Sequence, residues 1–188
     1  MDSNAQNFIV AVMAGTLAVA ALSAATYDLG TSEGSRFALE VYKTGLMAGK
    51  KHVFLFERYS GEATEDTVRF VVDARSVLCT DTWVNEGSRK KIESAARDQM
   101  MQADKYPEMV FTSSKVGASG DVEGILTIRG VARPIVVHVK RTGENFEGNA
   151  VVKLSDWGLK PPSSGLSLGL IGTKDEMRVQ FRIKPKTR

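Results

Sequence analysis

The stretch VEGILTIRGVARPIVVHV, residues 122–139, decides the fold. Val122, Gly124, Leu126 and Ile128 fall on one face; Glu123, Ile125, Thr127 and Arg129 fall on the other. After Gly130-Val131-Ala132-Arg133-Pro134, Ile135, Val137 and Val139 alternate with Val136, His138 and Lys140. Side chains on a strand alternate between faces, so the pattern predicts two half-buried strands around a short turn. Gly130 suits that turn because glycine tolerates positive φ. Pro134 should open a strand or lie on an edge, since in mid-ladder it would delete a hydrogen bond. The hairpin has one strongly apolar face, and that face needs something to pack against.

The same period recurs outward in both directions. Phe37, Leu39 and Val41 share a face, as do Val68, Phe70, Val72 and Ala74. Met109, Phe111 and Ser113 follow, then Phe146, Gly148, Ala150, Val152 and Leu154, and finally Met177, Val179, Phe181 and Ile183. Val53 to Tyr59 is apolar on both faces at first, which leaves its register open. These segments predict about eight sequential strands in an antiparallel meander. Closing such a sheet into a barrel removes its edges and covers its apolar face. A two-layer sandwich is the competing solution. The fold class expected is all-β: an eight-stranded antiparallel barrel over residues 26–188.

One helix interrupts the strands, expected over about 88–104 and packed on the barrel, across one end. Ser88 is the expected N-cap, and Ile92, Ala96 and Met100 recur every four residues. Pro107 pushes Tyr106 toward extended geometry, so the helix stops before it. Arg89, Lys90 and Lys91 in the first turn read either as a solvated basic turn or as a site for an anionic headgroup, because helix N-termini bind anions.

Composition limits the function classes. At 43% hydrophobic and 25% charged, the 188 residues are ordinary globular material. The net charge of +3 is not a dense basic patch interleaved with aromatics, so no nucleic-acid partner is expected. The single cysteine, Cys79, rules out an internal disulfide and reads as a small buried thiol. Phe8 to Ala25 is uncharged and apolar, ending in the small residues Ser23-Ala24-Ala25. It reads as a signal peptide over residues 1–25, although no Lys or Arg precedes it. A membrane anchor through residues 8–25 is the alternative, because eighteen helical residues reach about 27 Å. The expected location is periplasmic or extracellular, or membrane-anchored.

Catalytic and metal motifs are not found. His52 and His138 have no acidic or cysteine cluster at ligand spacing beside them. No nucleophile elbow or phosphate-cradling loop occurs, and Arg97-Asp98 reads as an exposed helical pair. Neither a catalytic residue nor a metal nor a cofactor is expected. Asp156 to Gly172 is rich in Gly and Pro yet carries Trp157, Leu159, Leu166, Leu168, Leu170 and Ile171. It reads as a loop packed on its own side chains or as an apolar flap at the barrel mouth.

Two motifs carry a resemblance. One is Arg97-Asp98-Gln99-Met100 followed by Lys105-Tyr106-Pro107-Glu108-Met109-Val110-Phe111-Thr112-Ser113. The other is Val122-x-Gly124-x-Leu126-Thr127-Ile128-x-Gly130-Val131-x-Arg133-Pro134-Ile135, followed by Trp157-Gly158-Leu159. In this order they resemble the YceI-like family over about residues 27–185. The resemblance implies a lipocalin-like eight-stranded barrel that binds a polyisoprenoid or similar long apolar lipid outside the bacterial cytoplasm. The family pattern departs at Met100, Met101 and Gln102, which puts ligand identity in question more than fold.

The expected ligand-binding residues are Phe37, Leu39, Phe70, Val72, Phe111, Leu126, Phe146 and Phe181, with Trp83, Met100, Trp157 and Leu159. Inner faces that mix large Phe with small Ala74, Gly124, Gly148 and Ala150 fit a filled core or a cavity equally; the resemblance favours the cavity. The expected partner is a long-chain lipid, a polyisoprenoid or isoprenoid quinone precursor, with transient membrane contact. The oligomeric state stays open, a homodimer included. A lipid isomerase or cyclase in the same barrel, with Ser113 as its inward hydroxyl, and a filled-barrel interaction protein are the competing readings.

Overall fold

A computed structural model of the chain describes residues 25–117, 120–161 and 170–187. The leader or anchor expected over 1–25 falls outside these residues up to position 24, as does the flap expected in the 156–172 loop over 162–169. Among the described residues no helix is long and apolar enough to cross a membrane.

The strands are β1 (Tyr27–Asp28), β2 (Arg36–Gly45), β3 (Lys51–Phe56), β4 (Tyr59–Ala63), β5 (Val68–Asp73) and β6 (Val77–Cys79). After the helix come β7 (Glu108–Val116), β8 (Asp121–Ile128), β9 (Val131–Thr142), β10 (Asn145–Lys153), β11 (Ile171–Ile183) and β12 (Lys186–Thr187). They form one curled antiparallel sheet in the order β12-β1-β4-β5-β7-β8-β9-β10-β11-β2-β3-β6. The expected eight strands are therefore corrected to twelve among the described residues. Glu57 and Arg58 break the 53–59 segment into β3 and β4, and a 3-10 turn at Ala74–Ser76 separates β5 from β6. The two-residue β1 and β12 are too short to show a period.

The break is stitched across. Glu57 N donates to Ser76 O at 3.2 Å, and Asp73 N donates to Arg58 O at 3.0 Å. Ser76 Oγ accepts from Arg58 N at 3.0 Å and donates to Asp73 O at 2.7 Å. Asp73 caps the turn through Arg75 N. The Arg75 guanidinium first, and Arg58 beside it, hold the Asp73 carboxyl down at about 2, against its burial.

The 122–139 stretch is the hairpin its pattern predicts. β8 and β9 pair from Asp121 with His138 to Ile128 with Val131. The two-residue turn is Arg129-Gly130, with φ of 52° and 75°, the left-handed pair that a type I′ turn requires. Pro134 lies inside β9 rather than at its start, opposite Ile125. It is tolerated there because β9 pairs with β10 only from His138 to Thr142. Before His138 that side of β9 is an edge.

The helix α1 spans Glu86–Ser94 and continues through wider π-type turns over Ala95–Met100. Its cap is Asn85, whose Oδ1 accepts from Ser88 N at 2.8 Å, so the expected Ser88 cap is corrected by three residues. It ends at Met100 rather than 104, where Met101 N reaches back to Ala96 O. Ile92, Ala96 and Met100 pack on the core as their spacing predicts. Glu93 accepts from Cys79 N at 3.0 Å, which ties the helix to β6, the last strand of the sheet order.

Candidate functional site

The inner faces of the strands enclose a cavity of about 330 Å³. Its wall includes Phe37, Leu39, Phe70 and Val72 from β2 and β5, then Phe111, Leu126, Phe146 and Phe181 from β7, β8, β10 and β11. These are the strand residues expected to bind ligand, brought together by alternation and antiparallel register. Several, among them Phe70, Phe146, Val179 and Phe181, are only half-buried although they pack against the core. In a filled interior such residues would be fully covered; here they border a void.

The rings lie flat because glycines face them. A Cβ on Gly61 would come within 2.9 Å of Phe70, one on Gly124 within 2.5 Å of Phe111, and one on Gly148 within 2.3 Å of Phe181. Gly61 is the cross-strand partner of Phe70, and Gly148 of Phe181. Each ring therefore fills the space a side chain on its neighbour would take, and lies along the wall.

The cavity has a floor. Leu39, Met109, Ile128 and Met177 line it and also line a second void of about 30 Å³ beyond them, toward the helix. Met100 and Leu159 line that smaller void and not the main one. Trp157 lies on neither: it is 2% exposed and donates from Nε1 to Leu126 O at 3.2 Å, wedging the helix end of the sheet. Arg129 braces the same end, donating to Met100 O and Gly158 O. At the opposite end the wall runs out to the exposed Lys140 and Arg141, so the cavity reaches the surface there.

Trp83 is also off the wall. It stacks on His52 with ring centroids 5.3 Å apart and donates from Nε1 to Lys51 O at 2.9 Å. Arg89, Lys90 and Lys91 line neither void, and Lys90 pairs with Glu86 at 2.8 Å. Ser113 points its hydroxyl at a neighbouring strand, accepting from Val68 N at 2.6 Å, and is not on the cavity wall. It is thus no free inward hydroxyl for an enzyme reading.

Sequence spacing missed two histidine–aspartate pairs, because strand pairing joins residues 29 and 17 apart. His52 Nδ1 lies 2.5 Å from the buried Asp81, which also accepts from Val53 N at 2.8 Å. His138 Nδ1 lies 2.6 Å from Asp121 on the exposed face of the β8–β9 hairpin. Among the described residues no group of three or more potential metal donors occurs. Beside the first pair, Glu40 is buried and takes Lys51 and Tyr42. Burial alone would raise it; those two hydrogen bonds, with the charges of Lys51 and Arg178, outweigh burial and hold its carboxyl below the ordinary range. Cys79 is buried as expected, and that burial pushes its thiol up to about 11, so it is not a nucleophile at neutral pH.

A family model described as the YceI-like domain matches residues 30–184. A UPF0312 protein of Pseudomonas aeruginosa is 25% identical over 173 residues, covering 77% of this chain and 87% of its own. Protein YceI of Shigella flexneri is 26% identical over 118 residues, covering 56% of this chain and 62% of its own. Among solved structures, Burkholderia cenocepacia BcnA superposes with a TM-score of 0.56 at 20% identity, covering 79% of this chain and 94% of that one. The Campylobacter jejuni YCEI protein gives 0.52 at 21% identity, covering 72% and 84%. At such identities the structural likeness shows the fold alone.

Proposed function

The chain belongs to the YceI-like domain family, and from that premise we propose that it is a non-catalytic carrier whose cavity holds a long apolar lipid. A polyisoprenoid or isoprenoid quinone precursor is the class the family resemblance implies. The curled sheet acts as a barrel closed through its divided hairpin: β3 runs into β4 after two residues, and β5 into β6 after three. The carrier works outside the cytoplasm, a reading supported by the uncharged run from Phe8 to Ala25.

The observation that supports the carrier reading most is the void itself, about 330 Å³ and walled mainly by Phe, Leu, Ile, Val and Met. Its volume falls at the low end of small-molecule pockets. A buried methylene contributes ~0.8 kcal/mol, so a forty-carbon chain would nominally give ~32 kcal/mol, above the ~20 kcal/mol ceiling on non-covalent affinity. Incomplete burial and chain ordering bring that down. Shape and apolar lining are enough for tight binding without any catalytic group.

Native mass spectrometry of protein purified from its own host is the test. Wild type should carry a lipid that denaturation releases chemically intact. Val137→Trp, which puts an indole into the cavity, should fold and come out empty. A wild-type protein with no bound lipid, and no affinity for long-chain lipids offered to it, would end the carrier reading.

A further inference from the structure

The charged residues on the cavity wall are Lys140 and Arg141, both at the far end of β9. The two are not equivalent. Ile135, Val137 and Val139 place alternate residues of β9 on the cavity side, and Arg141 is the next in that series. Its cross-strand partner, Phe146, also lines the cavity. Lys140 belongs to the outer face, where its ammonium lies 3.4 Å from Glu147.

The acids of the β9–β10 hairpin already have cations. Glu147 takes Lys140 at 3.4 Å and Arg182 at 3.8 Å, and Glu144 takes Lys184 at 2.9 Å. Across the mouth, Glu65 and Asp66 of the β4–β5 turn stand off the wall. Among the described residues Arg141 has no ion-pair partner. Its guanidinium makes one long bond, Nε to Gly143 O at 3.4 Å, which leaves both Nη groups open. A planar guanidinium fork matches carboxylate and phosphate oxygens in pairs. An uncommitted fork at the open end of an apolar tube is therefore a site for a ligand's polar end.

Building on the carrier reading above, we infer that Arg141 is the headgroup site. The cavity takes an amphiphile with an anionic head, a carboxylate or a phosphate, at Arg141, and its tail runs toward the Met109–Met177 floor. This assigns the head to the end of the sheet opposite α1 and its basic first turn.

The test uses delipidated full-length protein and three probes of one chain length: hexadecanoic acid, hexadecyl phosphate and hexadecanol. Affinities are read by competition against a fluorescent apolar dye. Wild type should hold an anionic probe roughly tenfold tighter than the alcohol, about one charge-assisted hydrogen-bond pair. Arg141→Gln, on an exposed side chain, should remove that preference and leave alcohol binding unchanged; Arg141→Lys should keep part of it. Whichever anion gains more identifies the head. Equal affinity of wild type for all three probes, or an Arg141→Gln loss that falls equally on the alcohol, overturns the headgroup site while the carrier reading stands. If no probe binds at all, the carrier reading falls and takes this site with it.

Discussion

At Phe181 the ring occupies the place that a side chain at residue 148 would need. Gly148→Ala would drive its methyl into the ring and toward the His138 carbonyl, 2.7 Å away. It should cost about 1–3 kcal/mol, read as a lower urea midpoint. It should also weaken lipid binding, because the ring is pushed into the lumen. Asp73 gives a residue-level effect of another kind. Its folded carboxyl sits at about 2, below its ordinary 3.8. Its contribution is therefore complete above about pH 4 and is lost as pH falls toward 2. Both arginines are more than half exposed, so solvent screening leaves roughly 1 kcal/mol. Asp73→Asn should unfold more easily than wild type at pH 6, and the gap should close by about pH 2. At this scale the sequence was partly legible. Alternation alone put Phe181 and Gly148 on one face, yet their contact needs the β10–β11 register. Trp83 and Trp157 look like ligand-binding aromatics in sequence, but each spends its indole on a backbone carbonyl elsewhere.

Among the elements, the short turn Leu154–Trp157 carries more than its length suggests. Leu154 and Trp157 are both almost fully buried where β9 and β10 have separated. Trp157→Ala should cost about 3–5 kcal/mol, because it leaves a hole and frees the Leu126 carbonyl. A thermal melt would register it, and a change under 1 kcal/mol would mean the end is held by other contacts. The helix was legible by its Ile92–Ala96–Met100 stripe, and its ends were not. Apolar periodicity is silent over Asn85-Glu86-Gly87, where the true cap lies, and gives no warning of the wider turns after Ser94. Asn85→Ala should lower stability by about 1 kcal/mol, the usual worth of a cap. The strands read well wherever one face is apolar, as in residues 122–139. They failed at residues 53–59, where both faces are apolar and the chain bends at Glu57–Arg58.

For the whole molecule, the cavity is an energetic liability when nothing fills it. Its apolar lining is covered neither by neighbouring side chains nor by a guest, and a chain that fills it would take that surface out of water. Loaded protein should therefore melt above stripped protein, by about 5–10 °C with free ligand at a hundred times its Kd. Calorimetry before and after delipidation tests this; identical melting points would mean the void holds nothing in the purified protein. The overall architecture was the most legible layer, since an antiparallel meander with one apolar face has few ways to cover itself. The hollow was less so: Ala150 and Gly148 permit one, but only the register shows the phenylalanines lying along the wall. Among the described residues, the floor of Leu39, Met109, Ile128 and Met177 leaves the tube open at the Arg141 end. A guest in such a cul-de-sac must back out by the route it came, last-inserted carbon first. Residence time should then lengthen with every carbon added, until the chain outgrows the tube and its surplus trails into water.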